Sequence, residues 1–187
     1  MNLLNVYYKY MENPILGLQG LLDRCSFRQA CLGYLMAAVG WVVFFNVGDG
    51  ISFPMLILKL VVVFVAELTI GFVLSAFAGL FLDLRHTRVS SAELFVMVGS
   101  AGFIKGLLII GAIISAMFPH SDLYLLAPLF LLLVWILQLG YLTRGLVRME
   151  DISVARALSA WLFGIVPVCV LFGLALLFFA WGILLLI

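Results

Sequence analysis

The stretch PMLILKLVVVFVAELTIGFVLSAFAGLFL, residues Pro54 to Leu82, decides the fold of this chain of 187 residues. It contains only two charged side chains, Lys59 and Glu67. A helix that crosses the hydrocarbon core of a bilayer needs about 20 mostly apolar residues, and this stretch is longer than that. The sequence therefore predicts a transmembrane helix here.

The composition of the whole chain agrees with this prediction. Hydrophobic residues make up 66% and charged residues 10% of the sequence, and the mean hydropathy is +1.30. An ordinary soluble domain is about 45–50% apolar and about 25% charged, so a soluble globular fold is excluded. Disorder is excluded as well, because disordered chains are poor in hydrophobic residues. We therefore expect an all-α integral membrane protein.

Five segments are long and apolar enough to span a membrane. In approximate bounds they are Gln29–Asn46, Pro54–Leu82, Ala92–Phe118, Leu123–Val147 and Leu158–Ile187. A sixth span would require a polar turn within the second or the fifth segment, and neither contains one. The prediction is a single domain of five transmembrane helices over residues 29–187, preceded by a lead over residues 1–28.

The basic residues outside the spans predict the orientation. Loops with basic residues alternate without an exception with loops that have none, so all of these residues fall on one side: before the first span, between the second and third, and between the fourth and fifth. In that order they are Lys9, Arg24 and Arg28, then Arg85 and Arg88, then Arg144, Arg148 and Arg156. By the positive-inside rule the N-terminus is cytoplasmic and the C-terminus lies outside. We expect the bacterial cytoplasmic (inner) membrane as the location.

The lead resembles an amphipathic helix that lies in the membrane interface. Asn13 is a suitable N-cap, and Pro14 suits the first helical position. Apolar side chains recur on one face at Ile15, Leu18, Leu22 and Cys25. This pattern predicts an interfacial helix on the cytoplasmic side. The alternative is a simple cytoplasmic extension of the first span.

Two helix starts are marked by capping residues. Ser90, followed three residues later by Glu93, forms the pattern of a capping box before the third span. Asp151 or Ser153 can cap the fifth span. Both signals concern folding and carry no information on chemistry.

Apart from Glu93 and Arg144, which lie within four residues of a span end, three formal charges lie inside the spans. Lys59 is close enough to the end of its helix to reach the interface. Glu67 and Lys105 each fall near the middle of their helices, and an ionisable side chain at that depth needs a partner or a water-filled cavity. We predict that they pair across the second and third helices. The pair either fixes helix register or serves a proton or substrate role; the third alternative is that the two do not pair.

Small residues support a close contact between these two helices, because they allow helices to approach in lipid. The predicted packing stripe is Gly71, Ser75 and Gly79 on the second helix and Gly99, Gly102 and Gly106 on the third.

Signs of catalytic, cofactor or metal chemistry are missing. The chain has no H-E-x-x-H, G-x-S-x-G, Walker or G-x-G-x-x-G motif. Two histidines, His86 and His120, cannot form a metal site alone, and the three cysteines form no C-x-x-C pair. With a net charge of +1, no strongly basic region is available for nucleic acid. We expect neither an enzyme nor a cofactor.

Two stretches resemble the Yip family of five-span membrane proteins, named for Ypt/Rab-interacting proteins. NPILGLQGLLDRCSFRQACLGYLMAAVGW, residues 13–41, is similar to the entry segment of that family. LYLLAPLFLLLVWILQLGYLTRGLVRMEDISVARAL, residues 123–158, is similar to its most recognisable part, where an Ile-Ser-x-x-Arg-Ala step opens the last helix. The resemblance would extend from Asn13 to Ile187.

The chain also departs from this family. Eukaryotic members have a long hydrophilic N-terminal region with a D-L-Y-G-P motif. Here the lead is short, and Asp122-Leu123-Tyr124 falls on the opposite side of the membrane. Rab binding therefore does not carry over, and the chain looks like a short prokaryotic form.

The resemblance implies a multipass membrane protein without an established reaction. We expect a non-enzymatic protein that organises membrane lipid or partner proteins, with lipids as partners and either another protein or a second copy of the chain. One alternative is a component of a transporter or channel for a small solute, protons or lipid that uses the Glu67–Lys105 pair. Another is an accessory subunit of a larger membrane complex.

Overall fold

The computed structural model describes residues 27–46, 52–87, 89–117 and 126–184, and this part of the chain is helical apart from short turns, without a strand. The helices are α1 (Phe27–Asn46), α2 (Phe53–Leu84), α3 (Ser91–Ala101), α4 (Leu107–Met117), α5 (Leu126–Glu150) and α6 (Val154–Leu184). A 3₁₀ segment, Gly102–Gly106, joins α3 to α4, so that α3, this segment and α4 form one span.

The prediction of an all-α membrane protein is confirmed. Within the described residues, five helices are long and apolar enough to cross a membrane. The first begins at Phe27, two residues before the predicted start, and the fourth continues to Glu150, three residues beyond the predicted end. The predicted interfacial helix of the lead lies outside the described residues.

The capping residues fulfil the roles predicted for them. The Ser90 side chain accepts a hydrogen bond from the amide of Ala92, and the Glu93 carboxylate accepts one from the amide of Ser90, which completes the capping box of α3. At α6 the cap is Ser153, whose hydroxyl accepts from the amide of Arg156 at 3.4 Å. Asp151 instead adopts a positive φ of 49° in the turn before it.

The span formed by α3, the 3₁₀ segment and α4 is the centre of the bundle. It packs against α1, α2 and α5, while α6 packs against α2 and α5. In the most apolar stretch of 18 residues of this span, 61% of the residues are buried, whereas in the corresponding stretch of α2 11% are buried. The large apolar side chains on the outside of α2, α5 and α6 are exposed, as expected for surfaces that face lipid.

The two ends of the bundle differ in packing. We call the end where α2 ends and α3 begins the Arg85 end, and the end where α1 ends and α2 begins the Asn46 end. Buried side chains form one apolar cluster in the half of the bundle nearer the Arg85 end, including Trp161, Leu82 and Leu94. Towards the Asn46 end the helices separate around a cavity. The charged pair lies at the boundary between these two halves.

Candidate functional site

Glu67 of α2 and Lys105 of the 3₁₀ segment form a buried ion pair. The ammonium Nζ of Lys105 donates to both carboxylate oxygens of Glu67, at 2.7 and 2.8 Å. The exposed fractions of Glu67 and Lys105 are 6% and 8%. The structure thus brings together the two charges that the sequence placed at the same depth.

The ion pair has a third member, Trp41 of α1. Its indole Nε1 donates to Oε1 of Glu67 at 2.7 Å, and the Lys105 ammonium lies 5.8 Å from the centre of the indole ring. The carboxylate therefore accepts three hydrogen bonds from two helices. Charge-assisted hydrogen bonds of this kind compensate part of the cost of burying the charge.

The ion pair lies near the middle of the bundle. The helix α2 begins at Phe53 and ends at Leu84. At a rise of 1.5 Å per residue, Glu67 lies about 21 Å along the axis from Phe53. Lys105 lies in the 3₁₀ segment that interrupts the third span. Mid-helix 3₁₀ segments often mark functional hinges, and this one carries the buried cation.

Two glycines of α1 allow that helix to approach the third span. An added Cβ at Gly33 would overlap the carbonyl oxygen of Gly99, and one at Gly40 would overlap the carbonyl oxygen of Lys105. Backbone therefore lies against backbone along this contact. Because Trp41 follows Gly40 directly, the close approach also brings its indole to Glu67.

The predicted stripe of small residues packs differently from the prediction. Gly99 and Gly102 face α1, not α2: their nearest neighbours are Ala30, Gly33 and Tyr34. Among the described residues, a Cβ added at Gly106 would meet only the methyl of Met36, at 3.5 Å. The prediction that the stripe of the third span packs against α2 is wrong for these three residues.

On α2 the stripe is divided between two neighbours. An added Cβ at Gly71 would overlap the ring of Tyr34, whereas one at Gly79 would lie 2.7 Å from the hydroxyl of Ser91 on α3. The Ser75 hydroxyl donates to the carbonyl of Gly71 within α2. Tyr34 thus separates the two glycine stripes, and its own hydroxyl donates to the carbonyl of Phe95 at 3.0 Å.

A cavity of about 880 Å³ runs from the Asn46 end past the ion pair, as far as Leu74 of α2. Its walls are mostly apolar and come from α1, α2, α5 and α6, with a small contribution from the third span. Wall residues include Phe45, Met55, Leu58, Val62, Val63, Ile70, Trp135, Leu139, Ile165 and Val168. Met55, Leu58, Val62 and Trp135 are each about half exposed, so the cavity opens on the lipid-facing surface of the bundle.

Polar groups occur at two levels of this cavity. Glu67 and Lys105 lie partway along it, and Lys59 lies nearer the Asn46 end, where its ammonium donates to the side-chain oxygen of Asn46. Gln138 also lines the cavity and has no hydrogen-bond partner in the described part of the chain. The cavity is therefore amphiphilic, with mostly apolar walls and two polar levels.

Sequence reasoning missed four residues of this site: Tyr34, Trp41, Gly33 and Gly40. The two glycines, with Ala37 between them, repeat on α1 the small-residue spacing that was read on the second and third helices, so the signal was present. No signal indicated that Trp41 would bind Glu67, because an indole at that position equally suits contact with lipid.

The ion pair has few polar neighbours among the described residues. The carboxylate and the ammonium neutralise each other, and no nucleophile is hydrogen-bonded to either. The described ranges contain no group of three His, Cys, Asp or Glu side chains that could hold a metal ion. Comparisons with protein-family models, with curated proteins and with solved structures give no match.

Proposed function

We propose that this chain is a non-enzymatic multipass membrane protein of the Yip type that binds a membrane lipid within its helix bundle. The observation that carries the proposal is the cavity of about 880 Å³ that opens between lipid-facing helices and contains a neutralised ion pair. Ligand pockets commonly have volumes of about 300–1,000 Å³ and apolar walls with few polar groups.

The dimensions of the cavity suit one acyl chain. From Lys59 to Leu74, both of which line it, α2 rises by about 22 Å at 1.5 Å per residue. One leaflet contributes about 15 Å to a hydrocarbon core of about 30 Å. The apolar wall is therefore long enough for a chain of one leaflet, with Lys59 near its polar end.

We further propose that the N-terminus is cytoplasmic and that the protein resides in the bacterial cytoplasmic membrane. This orientation rests on the alternation of basic residues between the loops. It places the Arg85 end on the cytoplasmic side and opens the cavity to the outer leaflet. The Yip assignment rests on the sequence resemblance of residues 13–41 and 123–158.

The test is identification of lipid that remains bound after purification in mild detergent, by mass spectrometry of the intact complex. Val63→Phe narrows the cavity, because Val63 lines it. Val61→Phe is the matched control: it makes the same change on the same helix, at a residue that is 52% exposed and outside the cavity wall. Bound lipid is expected in the wild type and in Val61→Phe, and should be lost in Val63→Phe. Equal retention in both variants would contradict the proposal.

Transport is the second candidate, since the cavity reaches Glu67. A transporter that couples to this carboxylate predicts proton movement in proteoliposomes that Glu67→Gln abolishes. A lipid-binding protein predicts none in either form. Lipid retention and proton flux therefore distinguish the two candidates.

A further inference from the structure

A second, smaller pocket lies at the Arg85 end, away from the large cavity. It has a volume of about 490 Å³ and lies where α5 ends and α6 begins. Its lining consists of Thr143, Arg144, Val147, Arg148 and Val154, none of which lines the large cavity. Its chemistry therefore has to be explained separately.

Two arginines of this pocket are available for a ligand. Arg144 and Arg148 are four residues apart on α5, so they lie on one face about 6 Å apart along the axis. Both are exposed, and neither forms an ion pair with a carboxylate of the described residues, including the nearby Glu150 and Asp151. Guanidinium groups present planar pairs of N–H donors that match phosphate oxygens.

The hydroxyl of Thr143 is the second observation. Its Oγ1 is buried and lacks a hydrogen-bond partner among the described residues, and the residue is only 7% exposed. Four other span hydroxyls donate to the carbonyl four residues earlier: those of Thr69, Ser75, Ser115 and Ser159. A buried hydroxyl without a partner costs free energy unless a ligand supplies one.

The start of α6 adds positive potential. Val154, the first residue of this helix of 31 residues, forms part of the pocket wall. The N-terminus of a helix carries a partial positive charge and N–H groups without intrahelical partners, which favours anions. The two guanidinium groups and this helix end therefore both favour an anion in the pocket.

We infer that this pocket binds the phosphate group of an anionic phospholipid. Arg144 and Arg148 donate to the phosphate oxygens, and the same group supplies the partner that the Thr143 hydroxyl lacks. A lipid is favoured over free phosphate for two reasons. Arg144 lies about 9 Å before the last residue of α5, at the depth where a span reaches the headgroups. Val147 and Val154 also give the pocket an apolar wall for an acyl chain.

The experiment titrates the full-length protein in mild detergent with phosphatidylglycerol and follows lipid-bound states by native mass spectrometry. Arg144→Gln/Arg148→Gln is expected to weaken binding by at least about tenfold, because both guanidinium contacts are lost. The control Arg85→Gln/Arg156→Gln removes the same charge from the same end without touching the pocket wall, and is expected to change binding less than about twofold. Equal losses in both variants would overturn the inference.

Two further arms complete the test. Arg144→Lys/Arg148→Lys keeps the charge but removes the planar donor pairs, so binding should weaken while the thermal unfolding midpoint stays unchanged. Inorganic phosphate at millimolar concentration should not displace phosphatidylglycerol. Displacement would show a site for free anions and would overturn the assignment to lipid. The cavity variant Val63→Phe should retain binding at this pocket, so the two lipid sites can fail independently.

Discussion

Gly40 of α1 lies so close to Lys105 that an added Cβ would overlap the carbonyl oxygen of Lys105. The contact is between backbones, so no side-chain movement can relieve it. It holds α1 at the distance from which Trp41 reaches the carboxylate of Glu67. The polar site at the centre of the bundle therefore depends on the absence of a side chain at one position.

We predict that Gly40→Ala destabilises the protein by about 1–3 kcal/mol, the usual cost of overpacking a close contact. The measurement is thermal unfolding in detergent. Gly140→Ala is the control, because an added Cβ at Gly140 meets nothing within 4 Å. Alanine is favoured over glycine within a helix, so the control should be neutral or slightly more stable. A Gly40→Ala variant as stable as the control would refute the close approach.

Removing one partner of the Glu67–Lys105 pair should cost about 3–5 kcal/mol, because the other charge remains buried without its partner. We therefore expect Glu67→Gln and Lys105→Met each to lower the free energy of unfolding. The double variant Glu67→Gln/Lys105→Met should recover much of that loss, since glutamine still accepts from Trp41 and no charge remains.

The same three variants show whether the contact between Glu67 and Lys105 contributes to the free energy of unfolding. Strict additivity of the two single effects would show that Glu67 and Lys105 do not interact. A double variant that is stable but no longer complements a deletion strain would assign the charges to function instead of folding.

Trp41→Phe should destabilise the protein by about 1.5–3 kcal/mol, because it removes a hydrogen bond to a charged acceptor and keeps most of the aromatic surface. Thermal unfolding is again the measurement. Trp135→Phe provides the comparison: this indole is 52% exposed and forms no hydrogen bond within the described helices. Equal effects of the two substitutions would mean that the indole N–H of Trp41 contributes nothing.

The orientation is tested by labelling single cysteines in intact cells. Ser52→Cys and Thr87→Cys, made in a background without Cys25, Cys31 and Cys169, should react from opposite sides of the membrane. Only the cysteine at position 52 should react with an impermeant maleimide added outside. Labelling at position 87 instead would reverse the orientation.

Much of the fold was predictable because lipid imposes a simple rule on composition. A run such as Pro54–Leu82 has no alternative to a transmembrane helix, and depth along a helix follows from counting residues. The common depth of Glu67 and Lys105 followed from that count. The capping box of Ser90 and Glu93 is local, so its pattern in the sequence was sufficient.

The neighbours of each helix were not predictable in the same way. Small residues show where helices approach closely, but not which helix approaches. Gly99 and Gly102 were assigned to α2, and they face α1 because Tyr34 occupies the space beside Gly71. The cavity was also beyond sequence reasoning, since it arises from the separation of helices that are individually unremarkable.

The 3₁₀ segment has a consequence for the angular phase of the third span. A residue turns about 120° in a 3₁₀ helix and about 100° in an α-helix, so five residues advance the phase by roughly 100°. A single helical wheel through Ser91–Met117 would place Gly106 on the face of Gly99. The segment instead rotates Gly106 away, which agrees with its single loose contact to Met36. Side chains of α4 therefore point in directions set by the conformation of Gly102–Gly106, and straightening that segment would turn the whole of α4 about its axis.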